Sequence, residues 1–558
     1  LFVYQLREKD MSRAIYTNSG AEETEQFFDS LFSEVKGESK ESAVLDSATS
    51  KQVSKTKIQA GADMPASVQK VLGELDDDNK SRVLDAVTYG MHIYQREHGF
   101  LPTADVLDAA LAQGYAAALD PKKLFDSVGS TGHHDVISAQ PNRVVVAITS
   151  AIAEAFPAAT YLPADINSNE SRLAIVSHLA GSTFGAYTQN DLLDGINCGS
   201  PYIGSERVLQ LTADAERDAY TGQFMTTVGG ATPVELLRGR TIIFVNGFPC
   251  AFESQNAASS VANVPVAGSI AIAGTEYTVT GTVTPATGAV ALAIAPAFPV
   301  GTEVHAEGYI DYEKQPQLSP ELVTQVTTYQ LFASPWRARV RQTIDSKTQY
   351  NNELGLDLAS ESLIAVRNQF SMERHYNVLN KALRIAKGNV QTYDFDKATQ
   401  IAEKTRAEIW QDFQATLGIV DQQMAEDTMD HGITHMYVTK NVAAQFLSLP
   451  STLFVPSGLQ ARPGIFRLGT FLGRYEVYYT PKVLTETATT SQILCIGRSA
   501  QVARCPFVLG DAVPPTYLPL AFGDDMKYGN AFYARNFTAV NPHQPSSKGA
   551  ALISVINM

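Results

Sequence analysis

Residues 241–312 constrain the fold most, because their apolar side chains recur at every second position while those to either side recur at every third or fourth. Ile270 with Ile272, Tyr277 with Val279, and Val290 with Leu292 and Ile294 alternate with polar neighbours, and Gly, Pro and Thr turns separate the runs. Such a stretch predicts a small antiparallel sheet or sandwich with one face buried. Flanked on both sides by helical patterns, it makes the chain α+β. At 558 residues the chain exceeds one ordinary core, so two to four folded units follow.

Before the β stretch, the first 126 residues are polar, acidic and helical in pattern. Phe27, Phe28, Leu31 and Phe32 make one apolar stripe, and Leu84, Val87, Met91 and Tyr94 make a second. Thr103 followed by Val106, Leu107, Ala110 and Leu111 reads as a capped short helix. Residues 38–62, rich in Ser, Lys and Thr, read as a flexible linker or extended arm. From Arg143 onward VVVAITSAIAEAF and RLAIVSHLAG suggest strands and loops. Leu1 is not a Met, whereas Met11 opens an ordinary-looking start, so residues 1–10 read as an upstream extension or a mis-called start.

After the β stretch the pattern is helical again. Leu363, Val366, Phe370, Tyr376, Leu379 and Leu383 line one side of residues 357–387, with Gly388 as a stop. A second amphipathic helix is predicted over 396–417, on Ile401, Thr405, Ile409, Phe413 and Leu417. Short strands follow at HMYVTK, RYEVYYTP, ILCIG and ALISVIN, the last tying the C-terminus into the fold.

The sequence carries no P-loop, Rossmann fingerprint or GxSxG elbow, so no catalytic or cofactor-binding residue is assigned. His431 and His435 stand four apart near Glu426, Asp427 and Asp430. Gly432 and the missing HExxH glutamate make this a helix end and its following turn, so no metal ligand is assigned. His133 and His134, between Gly132 and Asp135, read as a loop. Cys198, Cys250, Cys495 and Cys505 form no CxxC pair and read as buried thiols. Neither a secretory signal nor an apolar run of membrane-spanning length occurs.

With 43 Lys and Arg against 58 Asp and Glu, the net charge of −15 argues against tight nucleic-acid binding, which depends on basic side chains releasing counterions. The positive exception is Trp336, Arg337, Arg339 and Arg341. That cluster reads either as a solvated or salt-bridged face, or as a contact with DNA or an acidic neighbour; a contact between subunits is the reading adopted.

The order of elements, a helical prefix, a long β excursion, a long helix, a mixed region and final strands, resembles the Hong Kong 97-like fold of tailed-phage major capsid proteins. LFASPWRARVRQTIDSKTQYNNELGLDLASESLIAVRNQFSMERHYNVLNKAL looks like the passage into that family's spine helix. GRYEVYYTPKV with ILCIGRS looks like its late strand, Pro turn and strand. CPFVLGDAVPPTYLPLAFGDDMKYGNAFYARNFTAVNP followed by ALISVINM resembles the end of coat proteins from contractile-tailed phages. The likeness spans residues 143–558.

The resemblance implies an N-terminal extension or scaffold-like prefix over 1–130 and an N-arm with the start of an extended loop over 131–235. A β-rich insertion in that loop would occupy 236–315, a peripheral domain with the spine helix 316–395, an axial domain 396–496, and the return to the peripheral domain 497–558. It implies a non-enzymatic major capsid protein whose copies form the hexamers and pentamers of an icosahedral head around double-stranded DNA. Portal and scaffold proteins, and a decoration protein, are the implied partners, with location in the virion, assembly in the host cytoplasm and no membrane contact. The competing readings are an encapsulin-like compartment shell and a non-shell structural or adhesive protein with an immunoglobulin-like module.

Overall fold

A computed structural model describes residues 19–38, 47–59, 64–65, 68–69, 72, 77–118, 136–162, 169–227, 230, 232–343, 349, 358–400, 403–520 and 527–558. Residues 1–10, His133, His134, Asp135, Asp524 and Asp525 lie outside them. The chain divides into two compact units, one built from residues 1–175 and 328–558 and the other from 176–327.

Helix and strand both contribute heavily to the larger unit. Among the described residues its N-terminal part holds five helices: α1 (Ser19–Glu38), α2 (Ser47–Gln59), α3 (Asp77–His98), α4 (Ala104–Ala118) and α5 (Val136–Ala153). The predicted stripes are the buried ones. Phe28, Leu31 and Phe32 of α1, Leu84, Val87, Met91 and Tyr94 of α3, and Val106, Leu107, Ala110 and Leu111 of α4 share one core. Two expectations are corrected here. The Ser- and Lys-rich segment contains α2, a helix that buries little beyond Val53 and Ser54 and is fastened to α1 by a 2.8 Å Lys57–Glu34 ion pair. The Val-rich run after Arg143 belongs to α5 rather than a strand, because Val144, Ile148 and Ile152 fall four apart and all face the core. Glycines let α5 approach closely: a Cβ on Gly114 would stand 2.7 Å from Ile148 and one on Gly90 3.1 Å from Ile152.

The same core continues into the C-terminal half, through Val378, Leu379 and Ala382 of α6 (Leu358–Ile385) and Leu494, Ile496, Phe507 and Leu509 of the sheets. At 28 residues α6 runs roughly 42 Å and passes into a 3-10 turn, Ala386–Gly388, at the predicted stop. The predicted helix over 396–417 is interrupted. Thr405 is instead the N-cap of α7 (Arg406–Thr428), sealed by a reciprocal box with Glu408, so the helix starts later and runs further. Trp410, Phe413, Leu417 and Val420 of α7 pack in a second core with Ile433, Val477 and Ile553.

Two sheets complete this unit. A seven-stranded sheet runs 390–394, 550–556, 490–497, 433–438, 475–479, 466–471 and 454–456, so the C-terminal strand is interior. A four-stranded sheet runs 160–161, 507–520, 527–540 and 334–343, its middle pair forming a hairpin of two 14-residue strands. His435 sits inside a strand, Ile433–Val438, as the HMYVTK pattern predicted and not in the turn of the His431–His435 reading, because only the four residues 429–432 separate the end of α7 from that strand.

A buried ion pair ties the N-terminal helices to the later strands. Arg498 donates to both carboxylate oxygens of Asp105 at 3.0 and 3.2 Å. Asp105 also accepts from Thr160 Oγ1 at 3.1 Å and from the Tyr161 backbone N–H at 2.9 Å.

In the smaller unit, nine strand segments form one antiparallel sheet in the order 206–210, 304–309, 242–245, 248–253, 264–272, 275–284, 289–295, 219–223 and 212–213. Its first and last members are consecutive in the chain, separated only by Leu211, whose N–H donates to Val304 O at 2.9 Å. One stretch, 206–213, is therefore bonded on both sides, and the sheet closes into a barrel. The β region reaches back beyond residue 241, and closure replaces the predicted open sheet or sandwich. Val279, Val290, Leu292 and Ile294 point into the barrel with Tyr220, Val245 and Phe298, as their alternation requires. The chain leaves and returns along Glu170–Ala180 and Leu322–Phe332, which pair as a two-stranded ribbon.

Cys250, Cys495 and Cys505 are buried thiols, but Cys198 is exposed, against expectation, in a segment where a 3-10 turn (Gly195–Asn197) buries no residue.

Candidate functional site

Trp336, Arg337, Arg339 and Arg341 all lie on Ser334–Thr343, the end strand of the four-stranded sheet. Extended backbone sends successive side chains to opposite faces, so Trp336 parts company with the three arginines. Trp336 meets the ring of Phe370 edge-on at 5.2 Å, and Phe370 in turn meets Phe532 at 5.2 Å. With Ala338 and Ala534 these form a small apolar cluster that seats the strand on α6. Trp336 is thus a packing residue, and only the arginines form the predicted positive cluster.

Arg337, Arg339 and Arg341 are exposed and follow one another on the other face. At about 3.3 Å rise per residue they span roughly 13 Å. Neighbouring guanidinium groups about 6.6 Å apart repel by roughly 0.6 kcal/mol in water. Among the described residues no carboxylate lies within ion-pair range of Arg337 or Arg339. Arg337 lies over the ring of Tyr533, 5.8 Å from its centroid.

Strand pairing extends this face. Arg337 is opposite Tyr533, Arg339 opposite Ala531, Arg341 opposite Gly529, and Pro335 opposite Arg535. Gly529 is required there, since a Cβ would fall 1.8 Å from Val340 O. The result is a row of cations beside a low shelf of Ala531 and Gly529, with Tyr533 and Arg535 at one end. Sequence reasoning missed Tyr533 and Arg535, which join the row through a pairing nearly two hundred residues long. Only the alternation of KYGNAFYARNF hinted at their common face.

Other polar groups of the described residues are taken up in pairs. Beside α6 a cavity of about 20 Å³ is lined by Glu154, Phe156, Tyr161, Phe370, Ser371, Arg374, His375, Val378 and Leu509. That is room for one water molecule. Arg374 there is engaged by Asp511 at 3.1 Å, and Glu154 by Arg367 at 2.7 Å. Among the described residues no group of three or more His, Cys, Asp or Glu is placed to hold a metal ion. His431 and His435 point into separate surroundings: His431 Nδ1 lies 3.4 Å from Asp430, whereas His435 Nδ1 meets Thr434 Oγ1 at 2.7 Å. Among the described residues no helix is long and apolar enough to cross a membrane.

No family model matches the sequence, and no curated protein matches it. Among solved structures the chain is similar to the capsid of the jumbo bacteriophage PhiKZ, at 10% identity and a TM-score of 0.36, over 71% of this chain and 91% of that one. It is similar to the capsid of Ralstonia phage GP4 at 10% identity and a TM-score of 0.30, over 59% of this chain and 86% of the other. The holo-SrpI encapsulin complex from Synechococcus elongatus PCC 7942 is similar at 12% identity and a TM-score of 0.26, over 42% of this chain and 77% of the other.

Proposed function

We propose that this chain is a coat subunit of a protein shell, of the tailed-bacteriophage major capsid class, and that it works by assembling with copies of itself rather than by catalysis. The observation that carries the reading is Arg337 and Arg339: exposed like charges held in line on the end strand of a sheet, with no carboxylate in ion-pair range among the described residues, on a chain whose net charge is −15. Holding like charges in register costs free energy in an isolated subunit and is recovered when an acidic surface covers them. The acidic balance of the chain makes a second copy the fitting cover.

The resemblance in sequence supports a finer assignment. In it α6 is the spine helix of a peripheral domain, and α7 with the sheet strands between residues 433 and 496 belongs to the axial domain, while strands 390–394 and 550–556 of the same sheet belong to the peripheral domain. The closed barrel is an insertion within the extended loop. Copies then form hexamers and pentamers of an icosahedral head in the virion, assembled in the host cytoplasm around double-stranded DNA without reading its sequence. Portal and scaffold proteins take part, and a decoration protein has the barrel as an exposed platform.

The test is assembly of the full chain, followed by sedimentation and negative-stain electron microscopy. Wild-type protein is expected to give closed particles, tubes or capsomers. The triple variant Arg337→Glu/Arg339→Glu/Arg341→Glu should keep its thermal unfolding profile while assembled material drops at least about tenfold, the scale of 1.4 kcal/mol per contact. Unchanged assembly of that variant would remove the arginine row from the interface. A wild-type chain that stays monomeric under all assembly conditions would overturn the shell reading. Particles filled with an enzyme instead of DNA would identify a compartment shell.

A further inference from the structure

Three histidines come together in the larger unit, each from a different element, His435 buried and His98 and His375 half-buried. His98 ends α3, His375 lies on α6, and His435 is in the seven-stranded sheet. His98 Nδ1 is 2.9 Å from the hydroxyl of Tyr478, and His375 Nε2 is 3.2 Å from that of Tyr437. The rings of Tyr437 and Tyr478 stack at 5.4 Å, and His435 lies 6.0 Å from Tyr478. Phe156 meets His375 edge-on at 4.5 Å, and Tyr94 packs 4.4 Å from His98. The Nε2 of His435 is buried without a hydrogen-bond partner among the described residues.

Among the described residues, the carboxylates near this cluster are already paired, so a proton added here gains no counter-ion. Arg467 and Arg462 face His98, Arg498 faces His435, and His98 itself bears on the other two. The carboxylates near those arginines are engaged, Asp105 by Arg498, Glu476 by Arg467 and Glu97 by Arg462. Across the cavity beside His375, Arg374 is held by Asp511 and Glu154 by Arg367. The remaining titratable neighbours are Tyr94, Tyr437 and Tyr478, whose hydroxyls burial pushes up, keeping them neutral.

We infer that His98, His375 and His435 form an acid-sensitive joint, which frees the N-terminal helices α3 and α4 from α6 and the seven-stranded sheet as the pH falls below neutrality. Burial, with the arginines and His98 adding to it, pushes all three imidazoles down to about 3 from an ordinary value of 6.5. The closed joint therefore refuses protons that the opened one takes up. Its stability is constant above about pH 7 and is lost progressively as pH falls from about 6.5 towards 3. At pH 5 each histidine shifts the balance towards the open form by about thirtyfold, and the three act together. The inference is independent of the shell reading, since it concerns one subunit's core.

Hydrogen–deuterium exchange of the full chain, followed by mass spectrometry of its peptides and corrected for intrinsic rates, tests it. Between pH 7.5 and pH 5.0, peptides from 81–98 and 104–118 should lose at least tenfold in protection while barrel peptides from 264–295 hold theirs. His98→Phe, which removes one of the three titrating groups, should reduce the loss by up to about thirtyfold where that variant folds. Independently, the imidazole signals of wild-type protein should stay neutral down to the pH at which the helices open. Equal loss in barrel and helices, no loss at pH 5.0, or imidazoles that titrate near 6.5 in the closed protein would each overturn the inference.

Discussion

Asp105 shows how one side chain can be structural and costly at once. Its carboxylate lies in the core and is matched by Arg498, Thr160 and the Tyr161 N–H. Desolvating both ions offsets much of their attraction, so the pair specifies which strand meets α4 more than it stabilises the fold. Removing one partner is a different matter, because the other charge stays buried. Arg498→Met should cost about 3–5 kcal/mol in urea unfolding. Adding Asp105→Asn should cost less than the sum of the two single changes, a coupling that a double-mutant cycle reads directly. Neither residue stood out in the sequence. Asp105 follows a capping Thr103 and looks like an ordinary first-turn acid, and its partner is almost four hundred residues away.

Among the elements, α3 and α4 were legible because their apolar residues step by three and four between polar ones. α5 was not. Its β-branched run mimics a strand locally, and what makes it helical is packing against Gly90 and Gly114, which is tertiary. The arginine strand was legible in composition but not in division of labour. Alternation assigns Trp336 to the apolar cluster on α6 and the arginines to the open face. Trp336→Ala should therefore destabilise the protein by about 3–5 kcal/mol, or less to the extent that the half-buried site collapses. Arg339→Ala should leave thermal stability within about 0.5 kcal/mol. Comparing the two unfolding midpoints checks the split, and a similar loss in both would contradict the assigned faces.

The whole molecule has two compact units with separate cores. Each has its own hydrophobic core, so calorimetry of the full chain is expected to show more than one transition. Leu292→Ala, in the barrel interior, should lower one transition by about 2–5 kcal/mol, and Phe413→Ala should lower another by about 3–5 kcal/mol. A single transition moved by both changes would mean the units unfold as one. Barrel closure itself was beyond the sequence. Residues 206–210 alternate only weakly between half-exposed and exposed positions, and nothing local says that one stretch serves both ends of a sheet.

Closure also decides what the smaller unit can tolerate. A barrel closed through the 212–213 pairing leaves only short stretches of unpaired edge, so its outer surface can be rewritten with little risk of strand exchange. Its supporting stem is two adjacent strands, Glu170–Ala180 and Leu322–Phe332, and Gly181 N donates to Glu321 O at 2.7 Å where they enter the barrel. Chain ends held that close make the module exchangeable. A foreign domain with neighbouring termini, or a short turn, is therefore expected to join the same two strands without lengthening either connection.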